Sequence, residues 1–301
     1  MVNCNMLTVA ANAKINLTLD VLAKRADGYH EVVMIMQAID LADQLTLREQ
    51  AEGITVITDL PGLAGDQRNL AYRAAALIKS TLNIQAGIHI ELNKKIPMAA
   101  GLAGGSSDAA AVLLGLNSLW KLGLSGDELS NLGAALGSDV PFCLKGGTML
   151  ASGRGEVLTP IDTLPQTYVV LAKPKVSVST AWVYQHYRPE AVSAHPDTQG
   201  MLQCLQKQDL EGVAARLCNV LESVTIPEHP QIGQIKAWMC EYGAMASLMS
   251  GSGPTVFGLT PDPEKADYIA SKLEKLSQAQ IIVAKTVAEM RGENGTKTIA
   301  N

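Results

Sequence analysis

Aromatic side chains are scarce in this chain: two Phe, three Trp and seven Tyr amount to 4% of its 301 residues. A cluster of them at one place would therefore stand out. Cysteine forms no useful pattern. The five thiols, Cys4, Cys143, Cys204, Cys218 and Cys240, are odd in number and widely spaced, with no C-x-x-C pair, which argues against zinc and dithiol redox motifs and for reduced, mostly buried thiols. A basic excess is missing too. Lys and Arg number 24 against 29 Asp and Glu, a net charge of −5, so bulk electrostatics give no reason to expect nucleic acid or an anionic membrane as partner. Any positive potential must be local. No run is long and uncharged enough to cross a bilayer, and residues 1–12 lack the basic and apolar regions of a leader. The expected location is the cytoplasm.

What the chain does have is material for a large core. With 47% hydrophobic and 18% charged residues over 301 positions, two domains of ordinary size are expected. From Leu7 to Val21 apolar residues occupy the odd positions, while Lys14, Asn16 and Thr18 fall on the even ones. That alternation predicts a strand with one buried face and one polar face. Asp27-Gly28 supplies a turn, and strands are expected at Val32–Ile39, Leu45–Leu47, Ile54–Thr58 and Ile88–Leu92, with a helix over Leu70–Leu82. Asp108–Trp120 is apolar nearly all round, which predicts a central buried helix. Ser125-Gly126-Asp127-Glu128 matches a capping box opening a helix that stops near Gly137, leaving Ser138-Asp139 in a loop before Val140-Pro141. After Pro160 the pattern reads strand (168–172), helices (199–221 and 231–242), strands (246–249 and 255–259), helix (263–276) and strand (281–285). Its βαββαβ order predicts a ferredoxin-like sheet. The fold class is α+β, with domains at 1–160 and 161–288 and a mobile tail at 289–301.

The most informative stretch is Pro97-Met98-Ala99-Ala100-Gly101-Leu102-Ala103-Gly104-Gly105-Ser106-Ser107-Asp108, between a strand and the buried helix. Small residues let backbone N–H groups approach a ligand closely, and a helix N-terminus adds unpaired donors and the positive end of its dipole. The result is a phosphate cradle. Lys94 and Lys95 just upstream add charge, or are simply solvated. No Gly-Lys-Ser/Thr follows the glycines and no G-x-G-x-x-G spacing occurs, so this is neither a Walker A loop nor a dinucleotide fingerprint. A tight-packing glycine turn is the alternative.

This loop resembles the P-x-x-x-G-L-x-[SG]-S-S motif of the galactokinase, homoserine kinase, mevalonate kinase and phosphomevalonate kinase (GHMP) superfamily. Two more segments similar to that superfamily occur in the same order, Ala13-Lys14-Ile15-Asn16-Leu17 and Met249-Ser250-Gly251-Ser252-Gly253-Pro254-Thr255. Arg25-Ala26-Asp27-Gly28-Tyr29-His30-Glu31 and Leu136–Phe142 resemble the branch acting on a cytidine diphosphate ester of methylerythritol in the non-mevalonate isoprenoid pathway. The resemblance implies an N-terminal ribosomal-protein-like α/β domain, a C-terminal ferredoxin-like domain, and ATP-dependent phosphorylation of the 2-hydroxyl of that ester. ATP is the implied donor and Mg2+ the implied cation; the implied partners are small molecules, and the chain a monomer or weak homodimer.

Residue by residue, the resemblance implies that Asp139 is the general base and that Lys14 is paired with it, steadying the developing alkoxide. On the residues alone, Asp139 could be a turn or N-cap aspartate and Lys14 an edge-strand lysine facing water. Asn69, Lys94 and positions 97–107 would hold ATP, Arg68 standing where relatives have Asp. Asn16, Asp27, Tyr29, His30 and Tyr184 would hold the substrate, Tyr29 as a platform for cytosine and His30 at the pyrimidine edge, with Trp182 a rival to Tyr184. Ser250, Gly251, Ser252 and Gly253 would face the first glycine loop and close the site. The metal ligands are left open, with Ser107 and Asp108 as candidates by position. Rival readings are a homoserine or mevalonate kinase, against which the 25–31 segment speaks, a non-catalytic nucleotide-binding regulator, against which retention of Lys14 and Asp139 speaks, and a nucleic-acid module, against which the net charge speaks.

Overall fold

The structure is a computed structural model and describes residues 5–288. Along the chain run β1 (Met6–Lys24), β2 (His30–Gln50), β3 (Ile54–Thr58), α1 (Leu70–Thr81), β4 (Gly87–Asn93), α2 (Gly104–Leu119), α3 (Gly126–Leu136), α4 (Val140–Lys145), β5 (Thr148–Ser152), β6 (Val157–Pro160) and β7 (Tyr168–Lys173). There follow α5 (Thr180–His186), α6 (Thr198–Gln206), α7 (Leu210–Ala215), β8 (Cys218–Asn219), α8 (Glu222–Glu228), α9 (Pro230–Glu241), β9 (Ala246–Met249), β10 (Val256–Thr260), α10 (Pro263–Leu276) and β11 (Gln280–Lys285). Two sheets organise them. The first has the order β3-β4-β2-β1-β8, with β5 on β2 and β6 on β5; the second has the order β11-β7-β10-β9. The second sheet is the ferredoxin-like arrangement expected from the βαββαβ order, all of its pairings antiparallel.

Three expectations need correction. Leu45–Leu47 is no separate strand but the far half of the 21-residue β2, because the polar interruption at Asp40, Asp43 and Gln44 is absorbed by a change of partner along the strand: its near half pairs with β5 and its far half with β4. The single helix expected at 199–221 is instead α6, α7 and β8. Asp197 and Asp209 each cap a new helix with their carboxylates, and Cys218–Asn219 returns to pair with β1 in the first sheet. Two thirds of the way along, the chain thus re-enters the N-terminal sheet. Third, β1 is not buried on one face only. Its register slips at Asn12/Lys14 and Asn16/Thr18, so Ala13, Ile15 and Leu17 join one apolar cluster while Ala11, Leu19 and Val21 join another. Lys14, Asn16 and Thr18 between them are buried as well.

α2 is buried along nine of its positions, from Ser107 to Leu116, the central helix its composition predicts. α3 carries the complete reciprocal capping box at Ser125 and Glu128. Of the described cysteines, Cys143 and Cys204 are buried, Cys218 is half-buried and Cys240 is exposed, all unpaired. Exposure of Cys240 departs from the expected burial. Among the described residues no helix is long and apolar enough to cross a membrane; Cys4 and the 289–301 tail lie outside the described residues.

Candidate active site

One cleft of about 1100 Å3 opens between the β1–β2 hairpin, the 97–106 loop, α5 and the Gly251-Ser252 loop. Ligand pockets commonly hold about 300–1000 Å3, so this one has room for a nucleotide and a second substrate together. Its floor is β1. There the Lys14 ammonium, 5% exposed, donates to Asn16 Oδ1 at 2.7 Å and to the Gly101 carbonyl at 3.2 Å, and lies 3.7 Å from Asp139 Oδ2. The Lys14 amide donates to the Leu102 carbonyl at 3.2 Å. The glycine loop covers the edge of β1, and that is why Lys14 does not face water.

Asp139 stands at the N-cap position of α4, a helix that begins at Val140 directly after the expected Ser138-Asp139 turn, yet its side chain makes no capping bond. Its carboxylate is one third exposed and has Lys14 as its only polar partner among the described residues. An aspartate that neither caps nor closes a turn is free for chemistry.

The glycine loop ends in Ala103, which takes a left-handed conformation at φ 59° and offers no side-chain cap to α2. Ala99 is left-handed too, at φ 48°, and each costs roughly 1 kcal/mol relative to ordinary backbone. The amides of the first turn, Gly104 to Ser106, open on the cleft without a side-chain acceptor. A helix start of this kind, with dipole and N–H groups unanswered by a side chain, suits an anion. Gly101, at φ +75°, comes so near the second loop that a Cβ would lie 2.2 Å from the Ser250 carbonyl oxygen. Its own carbonyl accepts from Ser250 Oγ at 3.0 Å as well as from Lys14. The two glycine loops therefore touch, and Lys14 sits at their junction.

Most of the residues singled out in the sequence line this cleft: Lys14, Asn16, Tyr29, His30, Asn69, Lys94, positions 97–101 and 103–106, Asp139, Tyr184, Gly251 and Ser252. Others stand behind it. Leu102 is buried in the core, 1% exposed. Ser107 turns its hydroxyl away, donating to the Asn12 carbonyl at 2.6 Å, so it offers no side-chain oxygen to phosphate or metal. Asp27 shapes the hairpin by accepting from the Tyr29 amide at 3.1 Å and from Arg25. Ser250 is engaged with Gly101, and the Gly253 amide bonds back to Ser250. Asn69 caps α1 with its oxygen and donates to the Ala64 carbonyl with its amide. Arg68 binds Asp66, holding that carboxyl down at about 2.

Lys94 is not solvated. Its ammonium is clasped between Asp43 and Asp108, while Asp43 Oδ1 accepts from the amides of Lys95 and Ile96 at 2.6 and 2.8 Å. The lysine fastens the start of the loop. Burial, against the pull of Lys94 and with the push of Asp43, raises the Asp108 carboxyl to about 7, and its Oδ1 is buried without a partner.

At the other end the scarce aromatics gather. The rings of His30 and Tyr184 lie 5.3 Å apart, and Arg154 stands 4.9 Å over Tyr29. Burial, helped by Lys24, keeps the His30 imidazole below its usual range. Trp182 stacks on His186 at 4.2 Å instead; of these two rivals only Tyr184 lines the cleft. Sequence reasoning missed Lys24, Arg154 and Arg188, which line this end. It also missed Asn219, whose amide donates to the carbonyls of Met249 and Gly251, both at 2.8 Å, and so fixes the second loop. Gly153-Arg154-Gly155 was a visible signal; Asn219 carries none.

Two family models cover much of the chain, the GHMP kinases N terminal domain over residues 69–147 and the GHMP kinases C terminal domain over 201–278. The 4-diphosphocytidyl-2-C-methyl-D-erythritol kinase of Geobacillus kaustophilus (strain HTA426) is 54% identical over 255 residues, 84% of this chain and 88% of its own length. The chain belongs to this kinase family. The Bacillus subtilis (strain 168) member is 53% identical over 264 residues, covering 87% of this chain and 91% of that one. A crystal structure of a 4-(cytidine 5'-diphospho)-2C-methyl-D-erythritol kinase superposes with a TM-score of 0.80 at 35% identity, covering 93% of this chain and 99% of that one. As a member of the 4-diphosphocytidyl-2-C-methyl-D-erythritol kinase family, the chain has its likeness on both sides of the cleft.

Proposed function

We propose that the chain transfers the γ-phosphoryl group of ATP to the 2-hydroxyl of 4-diphosphocytidyl-2-C-methyl-D-erythritol, a step toward isoprenoid precursors by the non-mevalonate route. One observation carries the reading: the Lys14–Asp139 pair, at 3.7 Å, lies where both glycine loops meet, between an anion cradle and an aromatic group. In this reading Asp139 accepts the proton of the 2-hydroxyl, and Lys14 supports the alkoxide that forms as the proton leaves. The amides at the start of α2 hold the ATP phosphates, so that donor and acceptor are positioned rather than covalently activated. Tyr29 and Tyr184 flank the cytosine, and His30 hydrogen-bonds its edge.

In this reading a divalent cation accompanies ATP at the cradle end. Mg2+ is bound through one or two carboxylates together with substrate phosphates, and Asp108, a residue lining the cleft whose Oδ1 is buried without a partner, is the candidate ligand. When bound, the cation offsets phosphate charge during transfer.

The test is direct. The protein is incubated with ATP-Mg and, separately, the cytidine ester, mevalonate and homoserine; ADP release is followed and the phosphorylated product examined by phosphorus NMR. ADP with the cytidine ester alone is expected. Turnover of mevalonate or homoserine without turnover of the ester would remove the assignment and leave only the fold.

A further inference from the structure

Six cationic side chains line the cleft: Lys14, Lys24, Arg68, Lys94, Arg154 and Arg188. Lys14, Arg68 and Lys94 are committed to Asp139, to Asp66, and to Asp43 with Asp108. Lys24 and Arg188 are in no ion pair among the described residues, but rim cations of that kind are most often only solvated. Arg154 differs, because the structure around it is built.

Its guanidinium is held on one side only. Nε donates to Glu156 Oε1 at 3.2 Å, and the Arg154 amide donates to the other oxygen of Glu156 at 2.6 Å. Its plane stands 4.9 Å over the Tyr29 ring, an arrangement that stacking and the ring quadrupole favour. The two terminal nitrogens have no partner among the described residues. The turn carrying Arg154 is tied to the Tyr29 hairpin twice, since the Gly153 amide donates to Glu31 Oε1 at 3.1 Å and the Val32 amide to the Gly153 carbonyl at 2.9 Å. On its other side the turn abuts the catalytic loop. A Cβ on Gly155 would lie 3.9 Å from Ser138 Cβ, next to Asp139. Arg154 therefore lies between the aromatic platform and the candidate base.

In the substrate proposed above, the group lying between the base and the acceptor hydroxyl is a diphosphate. We propose that Arg154 is a specificity-determining residue that binds this diphosphate through its two terminal nitrogens, and so admits a nucleoside diphosphate ester where a bare polyol would leave the charge unanswered. The inference rests on the substrate reading. A planar guanidinium with two parallel N–H donors suits phosphate oxygens better than an ammonium does. Lys24 and Arg188 add to the local potential without being fixed in place.

The experiment measures binding of cytidine, CMP and CDP to the wild type, Arg154→Gln and Arg154→Lys by calorimetry, with ATP affinity and thermal unfolding recorded for each protein. Expected for Arg154→Gln is a loss that grows with phosphate number, about tenfold for CDP and under about twofold for cytidine, with partial recovery in Arg154→Lys and unchanged ATP affinity. The same factor for cytidine and CDP would show that Arg154 only props Tyr29, and an unchanged CDP affinity would show no contact; either overturns the inference and leaves the substrate reading standing. A wild-type protein that turns over mevalonate or homoserine and binds neither cytidine nor CDP would instead overturn that reading, and the inference with it.

Discussion

Replacing Asp139 with Asn separates chemistry from architecture. The carboxylate makes no capping bond at the start of α4, and its one charged partner is Lys14 at 3.7 Å across a side chain that is 31% exposed. The Lys14 end of this pair is buried and the Asp139 end one third exposed, so losing the charge costs about 1–3 kcal/mol, more than a surface pair, and lowers the melting temperature by several degrees. Lys14 keeps both of its other acceptors, Asn16 Oδ1 and the Gly101 carbonyl, so the junction of the loops survives. If Asp139 is the base, turnover falls about 10²–10⁴-fold, which is about 3–5 kcal/mol on the barrier. The two effects differ enough to be told apart. ADP release under saturating substrates gives turnover, rapid-quench single turnovers show whether chemistry limits the rate, and calorimetry gives ATP affinity. Lys14→Met is the poorer single probe, because removing a buried ammonium strands Asn16 Oδ1 at about 1–3 kcal/mol, while the Gly101 carbonyl keeps its bond from Ser250 Oγ. It is useful in the double variant, whose loss should be far smaller than the sum of the single losses. An Asp139→Asn protein that turns over near the wild-type rate, with chemistry limiting, would refute the assignment and leave positioning by the loops as the source of catalysis.

Further outcomes follow from the same geometry. Gly101→Ala must place a Cβ 2.2 Å from the Ser250 carbonyl oxygen at φ +75°; left-handed strain of about 1 kcal/mol adds to a parting of the loops, so the melting temperature should drop and KM rise for both substrates, and a variant with both KM values unchanged would mean that the loops do not meet as built. Tyr29→Ala removes the ring under Arg154 and should weaken the cytidine substrate about tenfold while sparing ATP; equal losses would point to a folding defect. Burial, with Lys24, holds the His30 imidazole below its usual range, so its neutral form persists through that range and is lost only as pH falls below it. KM for the cytidine substrate should therefore stay level down to the usual imidazole range and climb below it while KM for ATP stays level, and His30→Gln should flatten the climb.

The legible parts of the fold were those written locally. The capping box of α3 and the apolar run of α2 depend on neighbours in sequence, and both helices formed, α2 starting at Gly104, four residues ahead of its expected start. The return of Cys218–Asn219 to β1 depends on a parallel pairing with Leu19, some two hundred positions away, and nothing local announces it. The same holds within the cleft. Lys14, Asp139 and both glycine loops were visible as motifs, whereas the burial of Lys94 between Asp43 and Asp108 required knowing that β2, β4 and α2 converge. Period-two alternation likewise hid the double burial of β1, because a bulge moves side chains between faces without changing the residue pattern.

Those hidden contacts give the cleft an electrical polarity. At the loop end Lys94 is consumed in holding Asp43 and Asp108, and Lys14 by its neighbours at the loop junction, so the cradle itself is made of neutral amides and the dipole of α2. Such donors are fixed before a ligand arrives and need no rearrangement as charge moves during transfer. They favour a triphosphate by direction more than by net charge, which is the setting in which a cation carried in with ATP has the most to offset. At the far end, around the aromatic rings, Lys24 and Arg188 are in no ion pair among the described residues, and the Arg154 guanidinium meets Glu156 through Nε alone. Donor and acceptor substrates both carry phosphates, and a cleft whose uncommitted cationic groups gather at that end gives each a different reason to lie where it does. The Lys14–Asp139 pair sits between these ends, where, on the proposed function, the acceptor hydroxyl of one substrate and the terminal phosphoryl group of the other meet.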